Sequence, residues 1–342
     1  MSRKVIGLLH NVPVPAGTAF SEASSDILTQ VEAIEEAIKN LGYLSIRMPF
    51  TRNITGLILE MRKVSVAIAV NLVETLDDDP RFTGHSAAIL ELLDIPFSGS
   101  PFSAIMLTTD KVMTKRLLMA NGIKTPNYMI YNGKGNFDFH GLRYPVILKP
   151  ALQDASIGID QESIFKHERS LKEGIEGFFN RFGTILVEEY INGRELNVSI
   201  FGYPSPRVLP IAEIDFSAFP ENLFPIAGYR AKWDKSSFEY CHSPRKFPQQ
   251  ELPAVLREKI ESIALECFHL LMLRDYGRVD IRLDDQGQIY VLEVNANPCL
   301  SPDAGFAGAI YQDGMSYTDM VRQLINFTEQ RAVNNRTPLT YS

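Results

Sequence analysis

Four polar residues within one short stretch could do chemistry together. Arg278 and Asp280 lie on one strand-like run, and Glu293 and Asn295 lie on the next, within GRVDIRLDDQGQIYVLEVNANP (277–298). The intervening DDQG is a turn signal, and a hairpin centred on Gln286-Gly287 sets Asp280 opposite Glu293 and Arg278 opposite Asn295. Side chains alternate along a strand, so these four share one face while Val279, Ile281, Leu283, Tyr290, Leu292 and Val294 share the other. Two carboxylates directly opposed destabilise a sheet by about 0.2–1 kcal/mol, and by more where water is scarce, unless a cation lies between them. Carboxylate and amide oxygens without histidine or thiolate suit a hard ion such as magnesium, which takes its remaining ligands from water and substrate phosphates. A solvated polar face is the alternative reading of the hairpin taken alone.

A magnesium site of this kind implies a nucleotide, yet the usual phosphate cradles are missing. There is no G-x-x-x-x-G-K-[ST] and no G-x-G-x-x-G after a strand; NGKG (132–135) and GFAG (305–308) match neither spacing. Two lysines stand out instead. Lys149 ends the apolar run VILKP, where a cation needs an anionic or carbonyl partner. Lys111 falls in the first turn of a helix, where the dipole disfavours a cation and an external anion would account for it. ALQDASIGI (151–159) is a small-residue loop able to fold over phosphates. In LVEEYINGREL, Glu188 and Glu189 end a strand and Glu195 begins another after an Asn-Gly turn, so this linker could read an adenine amino group and ribose hydroxyls. Singly, each of these features also fits surface solvation or a plain hairpin edge.

The elements that must position these groups read as α/β. Residues 4 to about 102 alternate strand and helix signals, with KVIGLLH and SVAIAVNLV as buried strands, one helical face through Val31, Ile34, Ile38 and Leu41, and a second helix near His85–Leu93. This predicts a small open unit with a largely parallel sheet. The Pro, Gly and Ser of IPFSGSPFSA (95–104) mark a boundary. A helix follows, capped by Thr109 or Asp110, with a stripe of Met113, Leu117 and Leu118 and a stop at Asn121-Gly122. Strands NYMIY, YPVILKP and TILVEEYI come next, with a helix over about 167–180, and then an antiparallel sheet begins at RELNVSIFG and RVLPIAEI. Residues 215–248 are long, irregular and aromatic, as active-site lids often are. An amphipathic helix over about 249–272, the hairpin, and a helix near 316–330 complete the chain.

At 342 residues, with 45% hydrophobic and 22% charged residues, the chain has material for two or three domains. A net charge of −7 argues against a nucleic-acid or anionic-membrane surface. The only apolar run near the start, VIGLL, is too short for a signal peptide or membrane span, so a cytoplasmic location is expected. Cys241, Cys267 and Cys299 are odd in number and widely spaced, which fits reduced thiols, and nothing in the sequence supplies a base that would make Cys299 a nucleophile.

Taken in order, PFSGSPFSAIMLTTDKVMTKRLLMANGIKTP, YPVILKPALQDASIGI, ILVEEYINGRELNVSIFG, YRAKW and the hairpin stretch resemble the D-alanine:D-alanine ligase family of the ATP-grasp superfamily, covering most of residues 96–298. The resemblance implies three domains: an N-terminal α/β domain (1–102), a central ATP-grasp subdomain (103–192) and a C-terminal one (193–342) carrying the lid 215–248, with ATP held between two antiparallel sheets. It implies that Lys111 and Lys149 contact ATP, that the loop with Ala155, Ser156 and Gly158 closes over the phosphates, that Glu188 and the backbone at Tyr190 and Ile191 read adenine, and that Glu195 reads the ribose. It implies Leu292 as a further nucleotide contact. Lys232 in the lid would approach the γ-phosphate or a substrate carboxylate. Asp280, Glu293 and Asn295 would hold two magnesium ions, with manganese as a substitute, and Arg278 would stabilise the transferring phosphoryl group and the later oxyanion. Arg278, Lys232 and Ser156 are the implied catalytic groups.

The activity implied is an ATP-dependent carboxylate–amine ligase working through an acyl phosphate on a small carboxylic acid and a small amine, in a possible homodimer. A true D-alanine:D-alanine ligase and a phosphotransferase that stops at a phosphorylated hydroxyl are the alternatives. The substrate region departs from the family pattern. VNLVETLDDDP, with Asn71 and Glu74, stands where His-Gly and Gly-Glu-Asp-Gly are usual; Ala155 replaces a loop serine; Trp233 replaces the lid tyrosine; and NPCLSPDAGF, with Asn297 and Asp303, replaces a hydroxyl-rich run. Glu22 in TAFSEASSD could hold a substrate ammonium group, and Asp303 could pair with an amine or cap a helix.

Overall fold

In the computed structural model, which describes residues 4–133, 139–248 and 252–334, the chain forms three sheets. Val5–Asn11 (β1), Leu44–Phe50 (β2) and Val66–Asn71 (β3) pair in parallel in the order β2-β1-β3. Their apolar runs are long because both faces are covered. Ile6 and Leu8 pack against the helix Ser21–Asn40 and the C-terminal helix Tyr317–Asn334, while Leu9, Met48 and Phe50 join a second cluster that includes Leu57, Met61 and Leu90.

Tyr128–Tyr131 (β4), Val146–Pro150 (β5), Ile164–Phe165 (β6) and Ile185–Glu189 (β7) make a four-stranded antiparallel sheet in the order β4-β7-β5-β6, backed by the helix Glu168–Phe182. The third sheet holds Arg194–Gly202 (β8), Arg207–Val208 (β9), Ala212–Ile214 (β10), Arg245–Lys246 (β11), Asp275–Leu283 (β12) and Ile289–Asn295 (β13), in the order β11-β10-β8-β12-β13 with β9 on β8. One face of it is apolar: Leu196, Val198, Ile200, Val279 and Ile281 are fully buried with Ile260 and Ala264 of the helix Ala254–Leu270. Each such side chain contributes about 1.5–3 kcal/mol by leaving water. The opposite face is free to carry charge.

Several expectations change in detail. The boundary segment 95–104 runs into a helix, Phe102–Thr109, that ends where the next begins, and Asp110 caps the latter by accepting from the Val112 and Met113 amides. Met113 is 40% exposed, so the buried stripe runs through Val112 and Leu118 instead. Residues 215–248 are less irregular than their composition suggests, containing the helical turns Tyr229–Trp233 and Phe238–Cys241 and the strand β11. The helix expected from 249 begins at Ala254; residues 249–251, and the last two residues of NGKG, lie outside the described residues.

The β12–β13 hairpin departs from its expected register in an informative way. Asp280 pairs with Glu293 and Arg278 with Asn295, as expected, but Leu283 pairs with Ile289 rather than Tyr290. The turn is closed by Asp284 and Gln288 and carries Gly287 at φ 73°, so its loop holds three residues, not two. The extra residue on the β12 side is offset at a bulge after Asp280, where Leu292 is the unpaired residue of β13. The bulge also corrects the expectation that strict alternation sends Leu292 to the apolar face: it lines a cleft beside Glu188 and Glu293.

Candidate active site

A cavity of about 480 Å³ opens above the charged face of β8, β12 and β13, and a smaller one of about 70 Å³ adjoins it toward β5 and β7. Arg278, Asp280, Glu293 and Asn295 all line the larger cavity, with Asn197 of β8 beside them. Arg278 clasps Asp280 in a bidentate pair, Nε donating to Oδ1 at 2.7 Å and Nη2 to Oδ2 at 2.9 Å, and Asn197 Nδ2 donates to the same Oδ1 at 2.8 Å. The repulsion between the opposed carboxylates is therefore relieved partly within the protein. Glu195, Asn197 and Ser199 sit on one face of β8, opposite Arg282, Asp280 and Arg278 of β12, so the polar face spans three strands. The alternation in RELNVS carried that signal, and Asn197 could have been found from it.

Charge separates the two carboxyls. Burial pushes Asp280 up against the opposing pull of Arg278. Burial would also raise Glu293, but Lys111, Lys232, Arg278 and Lys149 outweigh it and hold that carboxyl well below its usual range. Lys111 Nζ is 3.9 Å from Glu293 and 3.0 Å from Asp154, and also donates to the Gln153 carbonyl. Lys232 lines both cavities. Two opposed carboxylates and an amide make a partial shell of hard oxygens, the donor set that suits a divalent ion completed by phosphates. Among the described residues no group of three His, Cys, Asp or Glu side chains forms a self-sufficient metal site.

The smaller cavity gathers residues expected to meet different parts of a nucleotide: Lys149, Ser156, Glu188, Tyr190, Ile191, Glu195 and Leu292. Glu188 is fully enclosed between two ammonium groups, Lys149 and Lys115, each at 2.8 Å. Its burial raises the carboxyl pKa, but the two lysines win and lower it. Lys115 was not anticipated, although it lies one helical turn beyond Lys111 on the same face; burial drops its pKa to about 8 despite Glu188. Glu195 accepts from Arg282 at 2.7 Å.

The loop after β5 is pinned to the segment 215–248. Ala155 (φ 54°), Ser156 (φ 58°) and Gly158 (φ 76°) all adopt left-handed conformations, which cost about 1–3 kcal/mol at a non-glycine residue. Ser156 Oγ donates to the Ala227 carbonyl at 2.8 Å, and Trp233 Nε1 donates to the Ala155 carbonyl at 2.9 Å. At Gly158 a Cβ would meet Phe182 and Pro150 at 2.9 Å, so no larger residue fits without a shift.

The expected substrate residues are dispersed. Asn297 and Asp303 line the larger cavity; Asn297 Oδ1 accepts from Tyr276 at 2.7 Å and its Nδ2 donates to Val73 O at 3.2 Å. Glu22 accepts from the Tyr229 hydroxyl at 3.1 Å. Asn71 is buried one layer back, where its Oδ1 accepts from Ser86 at 2.9 Å. Glu74 and Asp26 line the cavity and share Gln30 as a donor. Cys299 donates to Asp26 at 3.0 Å, and burial, with Asp26 and Glu74 nearby, pushes its thiol well above the usual value, so the protonated form is favoured. Arg245 of β11 also faces this cavity and has no sequence signal beyond its type.

Residues 117–326 match the family model described as D-ala D-ala ligase C-terminus. The D-alanine--D-alanine ligase of Carboxydothermus hydrogenoformans is 30% identical over 324 residues, covering 92% of this chain and 96% of that one. The protein y4sG of Sinorhizobium fredii is 32% identical over 266 residues, covering 78% and 75% respectively. Among solved structures, the D-alanine--D-alanine ligase from Bacillus anthracis complexed with ATP matches with a TM-score of 0.75 at 21% identity, covering 97% of this chain and 99% of that one. No helix among the described residues is long and apolar enough to cross a membrane.

Proposed function

The chain belongs to the D-alanine–D-alanine ligase family, and on that premise we propose that it joins the carboxylate of one small amino acid or acid to the amine of another amino acid, peptide or small molecule through an acyl phosphate. It has the ATP-grasp fold and is an ATP-dependent ligase forming carbon–nitrogen bonds. The observation that carries the finer reading is the convergence of Arg278, Asp280, Glu293 and Lys232 on one cavity, with Lys111 behind its wall against Glu293 and Asp154.

In this reading a carboxylate oxygen of the donor attacks the γ-phosphorus of ATP, the bond to the β,γ-bridging oxygen breaks, and ADP leaves. The amine nitrogen of the acceptor then attacks the acyl carbon, the carbon–oxygen bond to phosphate breaks, and the amine loses its proton. Asp280, Glu293 and Asn295 would hold two magnesium ions, which neutralise charge on the phosphates when bound. Lys111, Lys149 and Lys232 bind phosphate oxygens, and Glu188, Tyr190, Ile191, Glu195 and Leu292 seat the base and ribose. Arg278, fixed by Asp280, donates to charge that develops on the phosphoryl group and then on the acyl oxygen. Ala155 and Ser156, held by Trp233 and the Ala227 carbonyl, keep the lid over the phosphates so that water does not consume the acyl phosphate.

Hydroxylamine trapping tests this reading. Incubation with ATP, magnesium and a panel of amino acids and small carboxylic acids should release ADP and yield a hydroxamate of the donor. ADP release with a stable phosphorylated hydroxyl and no hydroxamate would replace the ligase with a kinase.

A further inference from the structure

Asn297 lies just beyond the end of β13 and commits both polar atoms of its side chain within the protein. The Tyr276 hydroxyl donates to its Oδ1 at 2.7 Å, and its Nδ2 donates to the Val73 carbonyl at 3.2 Å. Its backbone N–H donates to Asn295 Oδ1 at 2.9 Å. A carbonyl can only accept, so Nδ2 faces Val73 and Oδ1 is left for the phenol. The same rule fixes Asn295: an N–H can only donate, so Asn295 turns its oxygen, not its amine, toward Asn297. Both anchors are firm. Tyr276 is fully buried, its ring stands edge-on to Phe306 with centroids 5.7 Å apart, and a Cβ at Gly99 would come within 3.1 Å of it. Val73 precedes Glu74, which lines the larger cavity and whose N–H donates to Asn11 Oδ1 of β1 at 3.2 Å.

We propose that Asn297 is a positioning residue: it sets the Asn295 oxygen for a divalent ion and ties the ion's strand to the cavity wall built by the N-terminal unit. It is not a substrate contact, because its side chain is already engaged on both sides. An unrestrained Asn295 could turn its amine toward the cavity, and a donor there repels a cation. The Asn297 N–H removes that choice before any ion arrives, and leaves Oδ1 a second lone pair. The Asn297 side chain acts through its own backbone: held by Tyr276 and Val73, it keeps the N–H where Asn295 needs it. Partners of this kind, one step behind a ligand, typically change metal affinity by about 10- to 100-fold when removed.

This inference rests on the proposed function, in which Asp280, Glu293 and Asn295 hold magnesium, and the wild type tests that assignment first. Thermal unfolding is followed with a saturating non-hydrolysable ATP analogue, first in chelator and then over a range of free magnesium. Magnesium should add to the stabilisation that the analogue gives alone, with a measurable half-point. A wild type that does not respond to magnesium refutes the metal assignment, and the proposal falls with it. Asn297→Leu keeps the volume and loses both side-chain bonds, so its half-point should rise by about 10-fold or more. Tyr276→Phe keeps the ring in its seat and loses one neutral donor, so its half-point should rise by about 2- to 10-fold. The analogue's effect in chelator should be the same in every protein. A merely structural lesion would lower the unfolding temperature and leave the half-point in place. The double variant should match Asn297→Leu alone, since both changes break one chain of contacts. A wild-type half-point in either folded variant overturns the proposal, and so does a double variant whose effect is the product of the two; should Asn297→Leu not fold, Tyr276→Phe decides.

Discussion

The Lys111 ammonium stands 3.9 Å from the Glu293 carboxylate, reaching from the first turn of one helix to a strand of the charged sheet. A cation in the first turn opposes the helix dipole, and Lys111 is only 4% exposed. Its charge is instead stabilised by Glu293 and by Asp154 at 3.0 Å. Glu293 in turn is held ionised by four cations. The pair couples the central helix to the hairpin at the point where a triphosphate and its ions would lie.

Glu293→Gln should therefore lower magnesium-dependent ADP release by at least about 100-fold, the scale on which a preorganised charged group at a reacting centre acts. It removes the charge with little change in volume, and Lys111 keeps Asp154, so the thermal transition should persist. Near-wild-type turnover in a folded Glu293→Gln protein would sink the assignment of this face to metal and phosphate.

The enclosed triad of Glu188 with Lys115 and Lys149 sets an order of stabilities. Removing one partner of a buried ion pair typically costs about 3–5 kcal/mol, because the other charge is left uncompensated. Glu188→Leu strands two ammonium groups, while Lys115→Met leaves Glu188 still paired with Lys149 at 2.8 Å. Urea denaturation at neutral pH should rank wild type above Lys115→Met and Lys115→Met above Glu188→Leu. The reverse order of the two variants would mean that Glu188 is not held by both lysines in solution.

The opposed carboxylates were legible because strand periodicity is two and the turn residues are explicit. The agreement at Asp280–Glu293 nevertheless hides two departures that cancel: a three-residue loop at Asp285–Gly287 and the bulge at Leu292. Neither leaves a compositional mark, since a bulge is one unpaired residue among ordinary strand formers. Lys115 and Arg245 were missed for a different reason. A lysine in a helix and an arginine in an aromatic-rich segment are ordinary surface residues until tertiary packing encloses one and turns the other toward a cavity. Of the short helical turns of 229–241, the first is held by contacts to the Ala155 carbonyl and to Glu22 that no local pattern encodes, whereas the second carries a local cap at Ser237.

Trp233 tests the lid. Its Nε1 donates to the Ala155 carbonyl, a hydrogen bond that joins the phosphate loop to the segment above it together with Ser156 Oγ to Ala227 O and Tyr229 N to Ile159 O. Trp233→Phe keeps an aromatic ring and loses that donor, a change of about 0.5–1.5 kcal/mol. The KM for ATP should rise by about 2- to 10-fold, and limited proteolysis between residues 215 and 248 should become faster with nucleotide present. Unchanged proteolysis and KM would show that this bond does not hold the lid.

Glu74 gives a pH signature on the cavity wall away from the charged hairpin. Burial pushes its carboxyl from 4.5 up to about 7, and Asp26 and Asp154 add to the shift against a lowering hydrogen bond from Gln30. Between those two values the native state retains a proton that the unfolded chain has released. Native stability from this group is thus fully present below pH 4.5 and is lost as pH rises through 7. Glu74→Gln cannot ionise and still offers Gln30 an acceptor, so it escapes the loss. Urea denaturation should find the variant and wild type close at pH 5 and the variant more stable at pH 8, by about 1–3 kcal/mol. A stability difference that does not change between those pH values would mean that Glu74 ionises in the native cavity as freely as in the unfolded chain, and that the acidic wall it forms with Asp26 is open to water.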